Sequence, residues 1–130
     1  MLKTGILNPQ INSLISRVRH TNTLVIADRG FPFWPMIETV DIALIDNIPT
    51  VLQVLNAILP NFAVGEIIMA SEFRDHNSAQ TQSQFASAIG SIPLTYKPHY
   101  LEFKPLVPQA IGLIRTGDTT QYANMILVSA

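Results

Sequence analysis

The sequence predicts one α/β domain over residues 1–130, with helices on both faces of a single sheet. Three observations carry this. At 130 residues the chain fits one hydrophobic core, since domains cluster near ~100–150 residues. Stretches with helical apolar spacing alternate along it with short runs rich in β-branched residues. Hydrophobic residues make up 48% of the chain and charged ones only 13%, roughly half the usual charged share of ~25%. An unusual amount of apolar surface therefore has to be covered.

Asn8-Pro9 opens the first helix: Asn accepts from an orphan N–H, and Pro suits the first helical position, where no donor is needed. Ile11, Leu14, Ile15 and Val18 then make one apolar stripe, with Asn12, Ser13, Ser16 and Arg17 facing away. After His20-Thr21-Asn22, residues 24–27 read as a buried strand, and Asp28 stands at its carboxyl end. Gly30 to Pro35 is an aromatic, proline-stiffened loop carrying Phe31, Phe33 and Trp34. Val40, Ile42 and Leu44 alternate as a half-buried strand. Pro49-Thr50 starts a second helix with Leu52, Leu55, Ile58 and Leu59 on its buried face, and Pro60 closes it. Residues 64–70 are another buried strand, ending at Ser71-Glu72. Residues 80–91 are polar, but Phe85 and Ile89 share one helical face and Gly90 is a C-cap, so this is a surface helix. Residues 94–96 and 112–115 read as further strands, Thr116-Gly117-Asp118 as a turn, and residues 124–128 as the last strand.

Composition narrows the function. High hydrophobicity with a mean hydropathy of +0.28 excludes disorder. The longest charge-free apolar stretch, residues 47–65, holds Pro49, Gln53, Asn56, Pro60 and Asn61 and is no membrane helix. Eight Lys plus Arg against nine Asp plus Glu, with the basic residues scattered singly, argue against nucleic acid as a partner. Cysteine is absent, which excludes disulfides and thiolate metal sites. The opening residues lack a signal-peptide pattern, so a cytoplasmic location is the expectation. Low charge is met either by a large core or by a surface covered by other copies. Because a small domain buries only about two-thirds of its surface alone, an oligomer is favoured.

No phosphate loop, dinucleotide fingerprint, nucleophile elbow or zinc spacing occurs. The candidates are polar side chains at strand ends. His20 suits general acid/base work because imidazole titrates near neutrality; its plainer reading is a histidine placed against a helix C-terminus. Asp28 either orients a ligand hydroxyl or a histidine, or caps the turn at Arg29-Gly30. Tyr122 and Asn124, two apart, share a face if they lie on a strand, and offer a hydroxyl and an amide to a polyol or to turn backbone. His76 reads as part of a polar segment leading into a helix, with no role assigned. The aromatic loop either stacks on a sugar face or anchors an interface.

The order of segments carries more. Lys-Thr-Gly-Ile-Leu-Asn at 3–8, His-Thr-Asn-Thr-Leu-Val-Ile-Ala-Asp at 20–28, Val-Asp-Ile-Ala-Leu at 40–44, Arg-Thr-Gly-Asp at 115–118 and Tyr-Ala-Asn at 122–124 run nearly the length of the chain. In that order the sequence resembles the D-ribose pyranase and L-fucose mutarotase family, and is closer to the ribose pyranase branch. The resemblance implies a three-layer α/β/α domain with one mixed sheet, needing neither cofactor nor metal. It also implies a homodecamer of two pentameric rings, with sites near subunit boundaries. By it, His20 matches the catalytic proton donor, Asp28 a sugar-binding carboxylate, and Tyr122, Ala123 and Asn124 the sugar-contacting segment. A further contact, three residues before the phenylalanine matching Phe103, is histidine in ribose pyranases and arginine in fucose mutarotases. Here that count reaches Tyr100, with His99 one residue off register. Either Tyr100 makes the contact, or a bulge allowed by Pro98 swings His99 into place.

The implied reaction is opening and reclosure of a cyclic hemiacetal of a free monosaccharide. The other functional class that fits is a non-catalytic monosaccharide-binding protein associated with sugar uptake.

Overall fold

Strands β1 (Thr23–Ala27), β2 (Glu38–Asp41), β3 (Val64–Ala70), β4 (Leu94–Lys97), β5 (Gly112–Arg115) and β6 (Met125–Ser129) form one mixed sheet in the order β2-β5-β1-β6-β3-β4. The structure is a computed structural model and describes residues 1–130. β6 runs antiparallel to both its neighbours, β1 and β3, whereas β1 with β5, β2 with β5 and β3 with β4 are parallel. Since β1 and β3 each oppose β6, the other strands all point the same way. Their carboxyl ends and the amino end of β6 therefore share one edge, the edge where α/β sheets place ligands. Asp28, Glu72, His99, Thr116 and Asn124 all leave the sheet there.

Successive residues of a strand face opposite layers. In β1, Leu24 and Ile26 join the larger core with α1 (Pro9–Ser16), α2 (Val51–Ile58), α3 (Glu72–His76) and α4 (Ala79–Ile89). Val25 and Ala27 join a smaller core with Phe31, Phe103, Val107 and Ala110. That second layer is thin: a π-helical turn His99–Phe103, the single turn α5 (Lys104–Leu106) and a 3-10 turn Val107–Gln109. The expected three-layer arrangement is thus present, with unequal outer layers.

At eight residues each, α1 and α2 are shorter than the ~12–15 residues an isolated helix needs in water. Caps and packing hold them. Asn8 Oδ1 accepts from the Ile11 N–H at 2.9 Å. Thr50 and Gln53 form a reciprocal capping box. Leu14, Val51, Leu55 and Ile58 are fully buried, each such side chain contributing about 1.5–3 kcal/mol. No helix is long and apolar enough to cross a membrane.

The structure departs from the sequence reading in four places. The buried face of α2 is Val51, Val54, Leu55 and Ile58, so Val51 and Val54 join the expected Leu55 and Ile58, while Leu52 and Leu59 pack against the core half-buried. Pro60 lies inside a 3-10 turn, Leu59–Asn61, that extends the helix end. β2 stops at Asp41, so Ile42 and Leu44 are not strand residues; the chain turns instead into a tight bridge between Ile45 and Ile48. Tyr122 and Asn124 precede β6 and Tyr122 has φ +55°, so the shared strand face expected for them does not exist. Leu7, Phe33, Met36, Leu44, Ile45 and Leu101 remain exposed on the single chain.

Candidate active site at the strand ends

The Arg115-Thr116-Gly117-Asp118 turn shapes the edge, and each of its residues has a distinct partner. The Arg115 guanidinium donates to both Asp41 oxygens at 3.2 and 2.9 Å and to the Arg29 carbonyl, tying β5 to β2 and to the loop after β1. Thr116 Oγ1 donates to the Ala27 carbonyl at 2.8 Å. At Gly117 the chain passes so close to the 45–48 turn that a Cβ would lie 2.2 Å from the Ile45 carbonyl oxygen. The buried Asp118 carboxylate accepts from the Val51 N–H at the start of α2 and from the Thr120 N–H, each at 2.8 Å.

On that frame Asp28 is clamped by Asn124. Asn124 Oδ1 accepts from the Asp28 N–H at 2.7 Å, and its Nδ2 donates to Asp28 Oδ2 at 3.1 Å. Asp28 Oδ1 accepts from the Gly30 N–H at 3.0 Å, which is the turn cap expected for it. Burial pushes the Asp28 carboxyl above its ordinary range. Hydrogen bonds from Gly30, Asn124 and Phe31 pull it back, and Asp118 adds to the rise.

Asp28, His99, Tyr100 and Tyr122 line one cleft of about 390 Å³ with Gly30, Phe31, Pro32, Lys104 and Gln121. His99 is only 6% exposed, whereas Tyr100 is 71% exposed at the rim. The His99 ring stacks on Phe103 (centroids 5.7 Å apart, 18°) and meets Tyr122 edge-on at 5.1 Å. Its Nδ1 is enclosed and has no hydrogen-bond partner. Burial, then the nearby Lys104 ammonium, hold the imidazole below its ordinary pKa, against a smaller opposing pull from Glu72. A neutral imidazole offers one donor and one acceptor, which suits a sugar hydroxyl. No group of three His, Asp or Glu side chains is arranged to hold a metal ion.

His20 is not brought to this cleft. It is exposed in the turn before β1, at the opposite edge of the sheet from Asp28. The five residues of β1 between them span about 16 Å by themselves. Ala123 is fully buried in the larger core, and spaces Tyr122 from Asn124. The sequence reading missed Lys104 and Gln121. The segment after His99 changes helix type every few residues, so it has no period to detect.

The His99 environment makes a stability prediction. An unfolded histidine titrates near ~6.5, and the folded one lies below that, so its neutral ring stabilises fully above about pH 6.5. That contribution is lost as the pH falls through this value towards the folded pKa. Melting temperatures measured from pH 8 to pH 5 are expected to drop more steeply for the wild type than for His99→Leu. Parallel curves would contradict this.

Over residues 1–130 the sequence matches the family model described as the RbsD / FucU transport protein family. The chain belongs to that family. It is 38% identical over 129 residues to the D-ribose pyranase of Geobacillus kaustophilus, covering 99% of this chain and 93% of that protein. It is 39% identical to that of Geobacillus thermodenitrificans, covering 99% and 96%. The fold superposes on Bacillus subtilis RbsD complexed with D-ribose with a TM-score of 0.91 at 32% identity, covering 100% and 98% of the two chains. It shares its fold with the fucose mutarotase of Streptococcus pneumoniae in complex with L-fucose, at TM-score 0.82 and 18% identity over 99% and 98%.

Proposed function

We propose that the protein is an isomerase that exchanges cyclic forms of a free monosaccharide, D-ribose or a close relative, without a cofactor. The observation that carries this is the cleft that Asp28, oriented by Asn124, lines together with the buried His99 and with Tyr122. Membership of this family supports it, as does 38–39% identity over nearly the full length to two D-ribose pyranases.

In the reaction the anomeric hydroxyl loses its proton, the bond from the anomeric carbon to the ring oxygen breaks, and that oxygen takes up a proton. The resulting aldehyde recloses on the same or another hydroxyl, on either face. Asp28 accepts from sugar hydroxyls, His99 and Tyr122 bracket the ring, and the Asn124 clamp keeps the carboxylate aimed. His20 moves the proton at the anomeric centre.

His20 lies more than about 15 Å from Asp28 along its own chain, so in this reading the working site takes His20 from a neighbouring copy. The exposed Phe33, Met36, Leu44 and Ile45 and the 13% charge support burial between copies. A cytoplasmic decamer of two pentameric rings belongs to the same proposal.

The test is complementation, with exchange between ring forms read by saturation-transfer NMR over a panel of aldoses. His20→Ala and Asp28→Ala chains should each be inactive alone. Co-assembled at random, they should recover about a quarter of wild-type sites, because one copy supplies each residue. No recovery in mixed oligomers would refute the shared site. Sugar-induced thermal stabilisation without any exchange would favour the binding-protein reading.

A further inference from the structure

We propose that Glu72 is a positioning residue for this cleft: its carboxylate holds His99 in place against Tyr122. The proposal rests on the sugar-exchange reading for its kinetic part only.

Glu72 opens α3 directly after β3, at the ligand edge of the sheet. Its side chain is not among those lining the cleft. Its Oε2 accepts from the His99 backbone N–H at 2.8 Å, while its own backbone carbonyl bonds the His76 Nδ1 at 2.9 Å. The Tyr122 ring is flanked by these two imidazoles, 5.1 Å from His99 and 5.0 Å from His76. One residue thus anchors the groups on both sides of Tyr122 by separate atoms.

The turn after Pro98 explains why His99 needs an anchor. The Pro98 carbonyl accepts from both the Glu102 N–H at 3.0 Å and the Phe103 N–H at 2.9 Å. Five residues, His99–Phe103, are wound in this π-type turn, one more than an α-helical hydrogen bond would span. The extra residue leaves Tyr100 outside and keeps His99 buried. As the first residue of the turn, His99 has an N–H with no acceptor inside it. Glu72 supplies that acceptor, so the carboxylate fixes where the wide turn begins and hence where the ring sits.

The experiment compares Glu72→Ala and Glu72→Gln with the wild type. It uses sugar exchange kinetics together with the NMR signals of the His99 and His76 rings in sugar-free protein. In Glu72→Ala the His99 ring signals should move while those of His76 stay, because His76 is held by the backbone carbonyl. Exchange should fall roughly tenfold to a hundredfold, mainly in KM. Glu72→Gln keeps an acceptor and should restore both. The His99 amide proton should shift upfield in it as a charge-assisted bond becomes neutral, an arm that stands even if the alanine variant fails to fold. His99 signals and kinetics unchanged in Glu72→Ala, or a His99 amide unmoved in Glu72→Gln, would overturn the proposal. Should the wild type exchange no sugar, the functional reading falls, and the ring and amide signals still decide the role of Glu72.

Discussion

Asp28→Asn is expected to lower sugar exchange by at least about a hundredfold while the chain stays folded. A hydrogen bond from a ligand to a charged group contributes about 1.5–3 kcal/mol, so loss of the carboxylate's share at one or two sugar hydroxyls reaches that size. The asparagine also cannot accept at both oxygens. Asp28 takes the Gly30 N–H on Oδ1 and Asn124 Nδ2 on Oδ2, and the substituted amide must leave one of these donors without an acceptor. Global stability should change little, because burial already disfavours the ionised carboxylate and the neutral amide avoids that cost. The direction of the Asp28 shift adds a pH signature. A raised folded pKa means that protonation removes the acceptor at a higher pH than for an ordinary carboxylate near ~3.9, so wild-type exchange should fade on the acid side above that value. Exchange by saturation-transfer NMR, with a thermal melt of the same samples, checks both parts.

Gly117→Ala should be among the most destabilising substitutions outside the core. The added Cβ would meet the Ile45 carbonyl oxygen at 2.2 Å and the Ile48 carbonyl oxygen at 2.9 Å, both backbone atoms that cannot rotate away. Overpacking of this kind costs about 3 kcal/mol or more, which in a chain of this size lowers the melting temperature on the order of 10 °C. The damage would not stay local. The Gly117 carbonyl accepts from the Asn47 N–H, its N–H donates to the Pro49 carbonyl, and Asp118 caps the start of α2 through Val51. Moving this turn therefore loosens the loop after β1, to which Arg115 and the Arg29–Asp118 backbone bond tie it, and with it Asp28. A melting temperature within a degree or two of wild type would contradict the reading of Arg-Thr-Gly-Asp as a structural turn rather than a ligand loop.

Much of the fold was legible because apolar periodicity and caps act locally. Asn8 and Thr50 begin helices by side-chain bonds within three residues, and the strands at 24–27 and 64–70 carry the buried apolar runs 24–27 and 67–70. What escaped depends on distant contacts. The left-handed turn at half-buried Tyr122 packs between His76 and His99, and Lys104 reaches the cleft from the end of the π-type turn that begins at His99. The strand-end candidates Asp28, Tyr122 and Asn124 came together because antiparallel β6 brings its amino end to the edge that holds the carboxyl end of β1. His20 did not, since it precedes β1 rather than following it. The register ambiguity between His99 and Tyr100 was visible, but not how the widened turn sets the two apart: His99 is buried in the cleft wall and Tyr100 stands at its rim.

The most direct test is saturation-transfer NMR on equilibrated D-ribose, comparing transfer between pyranose and furanose signals with and without protein. Exchange well above the buffer rate is expected for the wild type, and close to it for Asp28→Asn. Buffer-level exchange with wild-type protein, for ribose and for every other aldose in the panel, would contradict it.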